Sequence, residues 1–356
     1  MRRLNRYAFP PGAGARIARR AGLLSLSALT ALAFFAAAGA AQNPVVSNPT
    51  PQAQQADEDA IFRSDTRLVV LNATVVDKNG KLITNLPESA FKVFENGVEQ
   101  PLKIFRREDV PVSLGIIIDN SGSMRDKRQK VAAASMALVK ASNPQDEVFI
   151  VNFNDDAYLD QPFTSDTKKL EEALDKIDSK GGTAMRDAIS MSADYVKDKG
   201  KKDKKVLLVV TDGNDNTSNE TLEQLVRKAR QEEVLVYCIG LLNEEEPREA
   251  KKAKRALRAL AEASGGMDYY PKDLAEVDKI TPEVAREIRN QYILAYSPTN
   301  QALDGTFRKI SVVVNGYGHP TVRTRNGYYA SEGPAPKSPS ASAETGKSDA
   351  SAGSGK

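Results

Sequence analysis

The chain has 356 residues, with 50 Lys and Arg against 47 Asp and Glu, one histidine, one cysteine and no tryptophan. His319 alone cannot build a multi-histidine zinc site, and Cys238 alone allows neither an intrachain disulfide nor CxxC chemistry. The length suits about two domains with appendages, so carboxylates and hydroxyls, the ligands of hard cations, are left to carry any site chemistry.

Residues 1–41 hold six arginines and no acidic residue. Their second half is uncharged, with Leu23, Leu24, Leu29, Leu32, Phe34 and Phe35 at its centre, and closes on Ala38-Gly39-Ala40-Ala41. Basic, apolar and small-residue regions in that order are expected of a secretory signal peptide. An uncleaved membrane anchor is the alternative, the run being just long enough to span. Either way the remainder is expected outside the cytoplasm, in the periplasm, at the cell surface or secreted. The positive excess belongs to this segment and the rest is mildly acidic, so the charge gives no ground for nucleic-acid binding. Residues 42–66, with Pro44, Pro49 and Pro51, read as a linker. Residues 331–356 contain nothing to bury and are expected to be a disordered tail.

Residues 67–109 read as a β-rich arm. Apolar runs at 68–71 and 73–75 precede Asp77-Lys78-Asn79-Gly80, and Glu95-Asn96-Gly97 separates 91–94 from 98 and 102–105. Asn-Gly is the strongest short hairpin signal, because both central residues of a type I′ turn need positive φ. Residues 110–290 alternate strands and helices. The apolar run 114–118 ends at Asp119, as in a strand buried on both faces, and Val131, Ala134 and Leu138 follow at helical spacing. Further strands are expected at 148–151, 157–163 (an edge), 206–210 and 234–240. Helices are expected near 170–177, from Gly182 to about Lys199, at 222–229, at 249–263 and at 274–290, the last broken at Pro282. Residues 291–330 form a second β-rich arm. Neither arm can bury a face alone, so together they are expected to make one small β-sandwich, two separate flaps being the alternative. The fold class is α/β: a doubly wound, mostly parallel, Rossmann-like sheet inserted between β-rich arms. Ligands in such a sheet bind beyond the carboxyl ends of the strands, where Asp119 and Asp212 both fall.

Asp119-Asn120-Ser121-Gly122-Ser123 reads D-x-S-x-S directly after the first strand of that sheet. Thr183 lies in Gly181-Gly182-Thr183-Ala184, opening a helix, and Asp212 in Thr211-Asp212-Gly213, ending a strand. With these elements in this order, residues 110–290 resemble the von Willebrand factor type A (VWA) domain, whose metal-ion-dependent adhesion site (MIDAS) begins with D-x-S-x-S. The resemblance implies a divalent cation, Mg²⁺ first and Mn²⁺ or Ca²⁺ next, held by Asp119, Ser121, Ser123, Thr183 and Asp212. The hydroxyls would contact it directly and the two carboxylates often through water. It also implies a partner protein whose Asp or Glu carboxylate completes the coordination, and coupling to movement of the last helix. The flanks, Leu86-Pro87, residues 91–97, 292–298 and 327–330, resemble a bacterial secreted subfamily termed VWFA-related. The donor chemistry agrees: two carboxylates and three hydroxyls are hard oxygen donors, and Mg²⁺ keeps waters that a carboxylate can replace. The plainer alternative is that Ser121, Ser123 and Thr183 only cap helices.

The function expected is that of a secreted or cell-surface protein-binding module rather than an enzyme. Ser121 as a nucleophile would need a base, and no His or Lys stands beside it in the motif. A metal-assisted hydrolase and a scaffold stabilised by its metal are the alternatives. No nucleic-acid partner is expected, and membrane contact only through an uncleaved leader. Residues 212–223 nearly match an EF-hand loop, but Thr217 stands where glycine is needed; Asn214, Asp215 and Asn216 are expected at the rim of the site. The lysines of 197–205 and the basic residues of 248–258 read as solvated faces. Cys238 reads as a buried hydrophobe and His319 as a surface loop residue. Asp187 reads either as a brace for the site's loops or as a helix N-terminal charge.

Overall fold

The computed structural model describes residues 67–331 except 108, 177, 178, 214 and 317. The expected leader (1–41), the linker (42–66) and the expected tail beyond Ser331 lie outside the described residues.

The first arm forms β1 (Val69–Val76), β2 (Phe91–Glu95), β3 (Val98–Gln100) and β4 (Leu102–Arg106). Asn96 and Gly97 have φ of 48° and 84°, so β2 and β3 join through the tight turn that the dipeptide predicts. At Asn79-Gly80 only the glycine is left-handed, with φ 79°. There Asp77 Oδ1 accepts from the backbone N–H of Asn79 and of Lys81, at 2.8 and 2.9 Å, and shapes a longer loop. A single bridge, Val76 to Leu82, follows it in place of a hairpin strand.

The middle block comprises β5 (Val112–Asp119), α1 (Arg128–Ala141), β6 (Glu147–Phe153), β7 (Ala157–Thr164), α2 (Thr167–Leu174) and α3 (Met185–Lys199). It continues with β8 (Lys204–Thr211), α4 (Leu222–Glu232), β9 (Leu235–Gly240), α5 (Pro247–Ser264), β10 (Asp268–Tyr269) and α6 (Leu274–Arg289). The strands form one six-stranded sheet in the order β10-β9-β8-β5-β6-β7, parallel except for the edge strand β7. All of β5 is buried, as a run without polar alternation requires. Ile116 and Ile118 pack with Val131 and Leu138 of α1, Leu170 of α2 and Val284 of α6. Ile117 points to the other layer, with Ile189 of α3, Leu225 of α4 and Leu257 of α5. Each such aliphatic side chain contributes roughly 1.5–3 kcal/mol by leaving water. Gly115 is needed in that second layer, since a Cβ would stand 2.3 Å from Phe149 Cζ.

The break expected at Pro282 does not occur; α6 runs through it. Val277, Val284 and Ile288 bury the helix against the sheet, and Thr281 Oγ1 donates to Val277 O in the turn that the proline disturbs. That packing outweighs the roughly 3 kcal/mol an interior proline costs.

The second arm supplies β11 (Tyr292–Tyr296), β12 (Phe307–Val314), β13 (Thr321–Arg323) and β14 (Gly327–Tyr329). Two four-stranded sheets result, β13-β1-β11-β4 and β14-β12-β2-β3, each drawing strands from both arms. Leu71, Val93, Tyr292, Leu294 and Val312 belong to one core that the two sheets share. Glu287 of α6 ties this sandwich to the α/β block: Thr74 Oγ1 and Tyr237 Oη each donate to its Oε1 at 3.2 Å, and Arg323 pairs with its Oε2 at 2.7 Å. Among the described residues no helix is long and apolar enough to cross a membrane.

Candidate metal centre

The carboxyl ends of β5 and β8 set Asp119 and Asp212 side by side, because the two strands are parallel neighbours in register from Val112 to Ile118. The loop after β5 is stitched to the loop before α3 by backbone bonds: Lys180 N–H donates to Asn120 O (3.0 Å) and Gly122 N–H to Gly181 O (3.3 Å). Gly181 has φ 78°, and a Cβ there would lie 2.1 Å from Asp155 Oδ2; Gly182 N–H donates to Asp155 Oδ1 at 2.8 Å. The double glycine thus lets the loop close on Asp155.

Four of the five expected residues are joined in one hydrogen-bonded chain. Ser121 N–H donates to Asp119 Oδ1 (2.8 Å), the hydroxyls of Ser121 and Ser123 are 3.1 Å apart, and Ser123 Oγ donates to Asp212 Oδ1 (2.8 Å). Since Ser123 has one hydroxyl proton and gives it to Asp212, Ser121 is the donor between the serines. Thr183 sits on the adjoining loop, two residues before α3. Its N–H donates to Asn216 Oδ1 (2.9 Å) and its carbonyl accepts from Asn216 N–H (3.1 Å). The helix-capping alternative is not what the serines and the threonine do. Ser121 makes no side-chain cap to the short turn it precedes, α1 is preceded by Lys127, and Ala184 stands at the start of α3.

Asp119 and Asp212 are both at most 1% exposed. Thr211 Oγ1 donates to Asp119 Oδ2 at 2.6 Å, occupying the second oxygen of that carboxylate. Burial pushes the Asp119 carboxyl up to about 6, against the opposing pull of the Thr211 and Ser121 hydrogen bonds.

Sequence reasoning missed Lys127. Its Nζ lies 2.8 Å from Asp212 Oδ2 and 2.7 Å from Glu244 Oε2, so a lysine does enter the site, in contrast to the expectation from the motif alone. Burial works against its ammonium, but the hydrogen bonds and charges of Asp212 and Glu244 outweigh it and raise the pKa above the ordinary value. The available signal was Arg125, Lys127 and Arg128 clustered at a helix start, where the helix dipole favours acids.

The rim residues have structural work. Asp215 pairs with Arg186 at 2.8 Å and accepts from Ser218 Oγ at 2.6 Å. Asp187 is a brace: its carboxylate accepts from the N–H of Asn219 and of Glu220, each at 2.9 Å. The EF-hand likeness dissolves, since Thr221 and Gln224 form a capping box for α4 and Asn216 is spent on Thr183. Cys238 is fully buried and burial pushes its thiol up; His319 is an exposed loop residue with φ 53°. One expectation of a solvated lysine face fails at Lys204, which is 7% exposed. It is the first residue of β8, and its Nζ donates to Ile288 O near the end of α6. A cavity of about 530 Å³, with Val70, Ile104, Lys201 and Lys204 in its lining, lies at that opposite, amino end of the sheet.

The donor set fits a hard divalent cation. It holds two buried carboxylates and neighbouring hydroxyls, with no soft or nitrogen ligand, and a positive charge already rests on Asp212. Among the described residues no group of three or more His, Cys, Asp and Glu side chains is gathered.

Residues 114–214 match the family model of the von Willebrand factor type A domain, spanning Asp119 to Asp212. The match is to that stretch of the chain, and the six-stranded, mostly parallel sheet between helices is the fold expected of a VWA domain. Among solved structures, a von Willebrand factor type A protein from Catenulispora acidiphila is 17% identical, with 73% of each chain covered and a TM-score of 0.45. An aerotolerance-related membrane protein from Bacteroides fragilis is 21% identical over 50% of this chain and 98% of that one, with a TM-score of 0.41. The vWF domain of a type V pili tip protein from Porphyromonas gingivalis is 13% identical over 51% of this chain and 97% of that one, with a TM-score of 0.42. No curated protein matches the chain.

Proposed function

We propose that the chain is an exported protein-binding module that engages its partner through a divalent cation, Mg²⁺ first, at the carboxyl end of its parallel sheet. The observation that carries this reading is the joined set Asp119, Ser121, Ser123 and Asp212, with Thr183 on the loop stitched to it. Asp119, Ser121, Ser123, Thr183 and Asp212 would hold the cation. When bound, the cation offers a coordination position to an Asp or Glu carboxylate of a partner protein. The chain's own part is positional. Thr211 and the Ser121 N–H fix the Asp119 carboxylate, Ser123 fixes that of Asp212, and Asn216 fixes the Thr183 backbone. The matched family supports an interaction role.

A hydrolase is the weaker reading. Lys127 is the basic side chain that enters the site, and its Nζ is engaged by Asp212 and Glu244 rather than by Ser121, which leaves that serine without a paired base. Export follows from the leader expected at 1–41, which lies outside the described residues. Crosslinking in the native cell tests the proposal: partners captured by the wild type should be released by EDTA and should not be captured by Asp119→Ala. A partner set unchanged by both contradicts it.

A further inference from the structure

Asp212 has a side chain that is 0% exposed, and Lys127 Nζ lies 2.8 Å from its Oδ2. The same nitrogen is 2.7 Å from Glu244 Oε2, whose side chain is 76% exposed. One ammonium therefore bridges a carboxylate that water cannot reach and one that stands in solvent. A buried carboxylate needs a positive partner, because an unpaired charge there is strongly destabilising. A divalent cation at this site would repel that ammonium across a buried region, where little water screens the repulsion. Both cations answer the same need, and the site does not favour holding them together.

We infer that Lys127 is a tethered counter-cation, which neutralises Asp212 in the cation-free protein and yields it to a divalent ion by transferring to Glu244. The inference rests on the cation reading above and adds a consequence of its own: the chain lowers its own divalent-cation affinity. Glu244 is suited to receive the ammonium. It ends the short turn Leu242–Glu244, which is anchored by the Asn243 side chain donating to the carbonyls of Pro271 and Lys272. The backbone of Lys127 is held by its N–H to Met124 O (3.0 Å) and by its carbonyl, which accepts from Val131 N–H (3.1 Å) at the start of α1, while its ammonium pairs with these two carboxylates, so the side chain can shift with the backbone bonds kept. Two further acids face this corner: a Cβ on Gly213 would be 3.6 Å from Glu245 Oε1, and Asp273 lines the same crevice as Lys127 and Glu244.

The test is Mn²⁺ binding to the full chain, read from the electron paramagnetic resonance signal of free Mn²⁺, with Mg²⁺ as competitor. Lys127→Gln should bind Mn²⁺ at least tenfold more tightly than the wild type, and Lys127→Arg, which keeps the charge, within about threefold of it. Lys130→Gln, whose partner is the exposed Asp278, should stay within twofold. Glu244→Gln removes the alternative partner and should weaken binding severalfold; being a change at an exposed side chain, it decides the matter if Lys127→Gln does not fold. Without added metal, Lys127→Gln should melt earlier than the wild type. Equal or weaker binding by Lys127→Gln, or an unchanged affinity in Glu244→Gln, overturns the inference and leaves the cation site standing. Absence of Mn²⁺ binding in wild type and Lys127→Gln alike overturns both.

Discussion

The two ends of the central sheet treat buried charge in opposite ways. At the carboxyl end two buried acids, Asp119 and Asp212, are met by serine and threonine hydroxyls and by Lys127, whose other partner reaches solvent. At the amino end one buried base, Lys204, sits on the carbonyl of Ile288, with Asp109, Glu287 and Asp146 as the acids whose charges favour it. Burial dominates at both ends, pushing Asp119 up to about 6 and Lys204 down to about 7. The amino end is fixed, because Lys204 is buried and its Nζ has the Ile288 carbonyl as its bonded partner. The carboxyl end is exchangeable, because the charge that satisfies Asp212 hangs on a side chain with somewhere else to go. Buried polarity alone does not mark a functional site; the means of replacing its counter-charge does.

The difference predicts a pH profile of opposite slopes, and the largest effect belongs to Lys204. Between about pH 7 and 10.5 the unfolded chain holds the Lys204 proton and the folded one does not, so stability rises with pH. The displacement corresponds to an upper bound on the order of 5 kcal/mol. Denaturant midpoints at pH 7 and 9.5 should show the rise, and Lys204→Met should flatten it; an equal rise in the variant breaks the comparison. At the other end, without metal, the folded state holds the Asp119 proton between about pH 4 and 6 while the unfolded chain has lost it. Stability therefore falls over that window, by roughly 3 kcal/mol at most. Asp119→Asn should remove the fall and raise the melting temperature of the metal-free protein at pH 7. A lower melting temperature would contradict a net cost of burying that charge.

Gly181→Ala should cost about 1–2 kcal/mol, through its left-handed φ and the 2.1 Å approach to Asp155, and should loosen the site's loops. Urea midpoints with and without Mn²⁺ separate the two effects: the loss should be greater with Mn²⁺ present. The smallest change is at the exposed pair Lys130–Asp278, where Lys130→Ala should shift stability by about 0.5 kcal/mol or less. A larger loss there would show that surface ion pairs, and not buried ones, set the profile.

Much of this was legible in the chain. The apolar run before Asp119 predicts a strand buried on both faces, and β5 is one. Asn96-Gly97 predicts its turn by local backbone sterics alone. The hydroxyls and carboxylates of the candidate site sit at the carboxyl end of the sheet, where strand ends and loop residues foretold them. What was not legible depends on residues far apart. Asn79-Gly80 becomes a longer loop because the Asp77 side chain captures two N–H groups. Pro282 stays within α6 because the helix is buried along one side. Lys204 looks like one of six lysines around a glycine until the end of α6 covers it. Lys127 and Glu244 are neighbours only because the loops after β5 and β9 meet, and no local pattern records that.

Titration calorimetry of the full chain with Mg²⁺ and then Mn²⁺, against the same titration of Asp119→Ala, is the sharpest test of the cation site. A saturable heat at one ion per chain is expected in the wild type and none in the variant. No heat in the wild type, or the same heat in both, would refute the site.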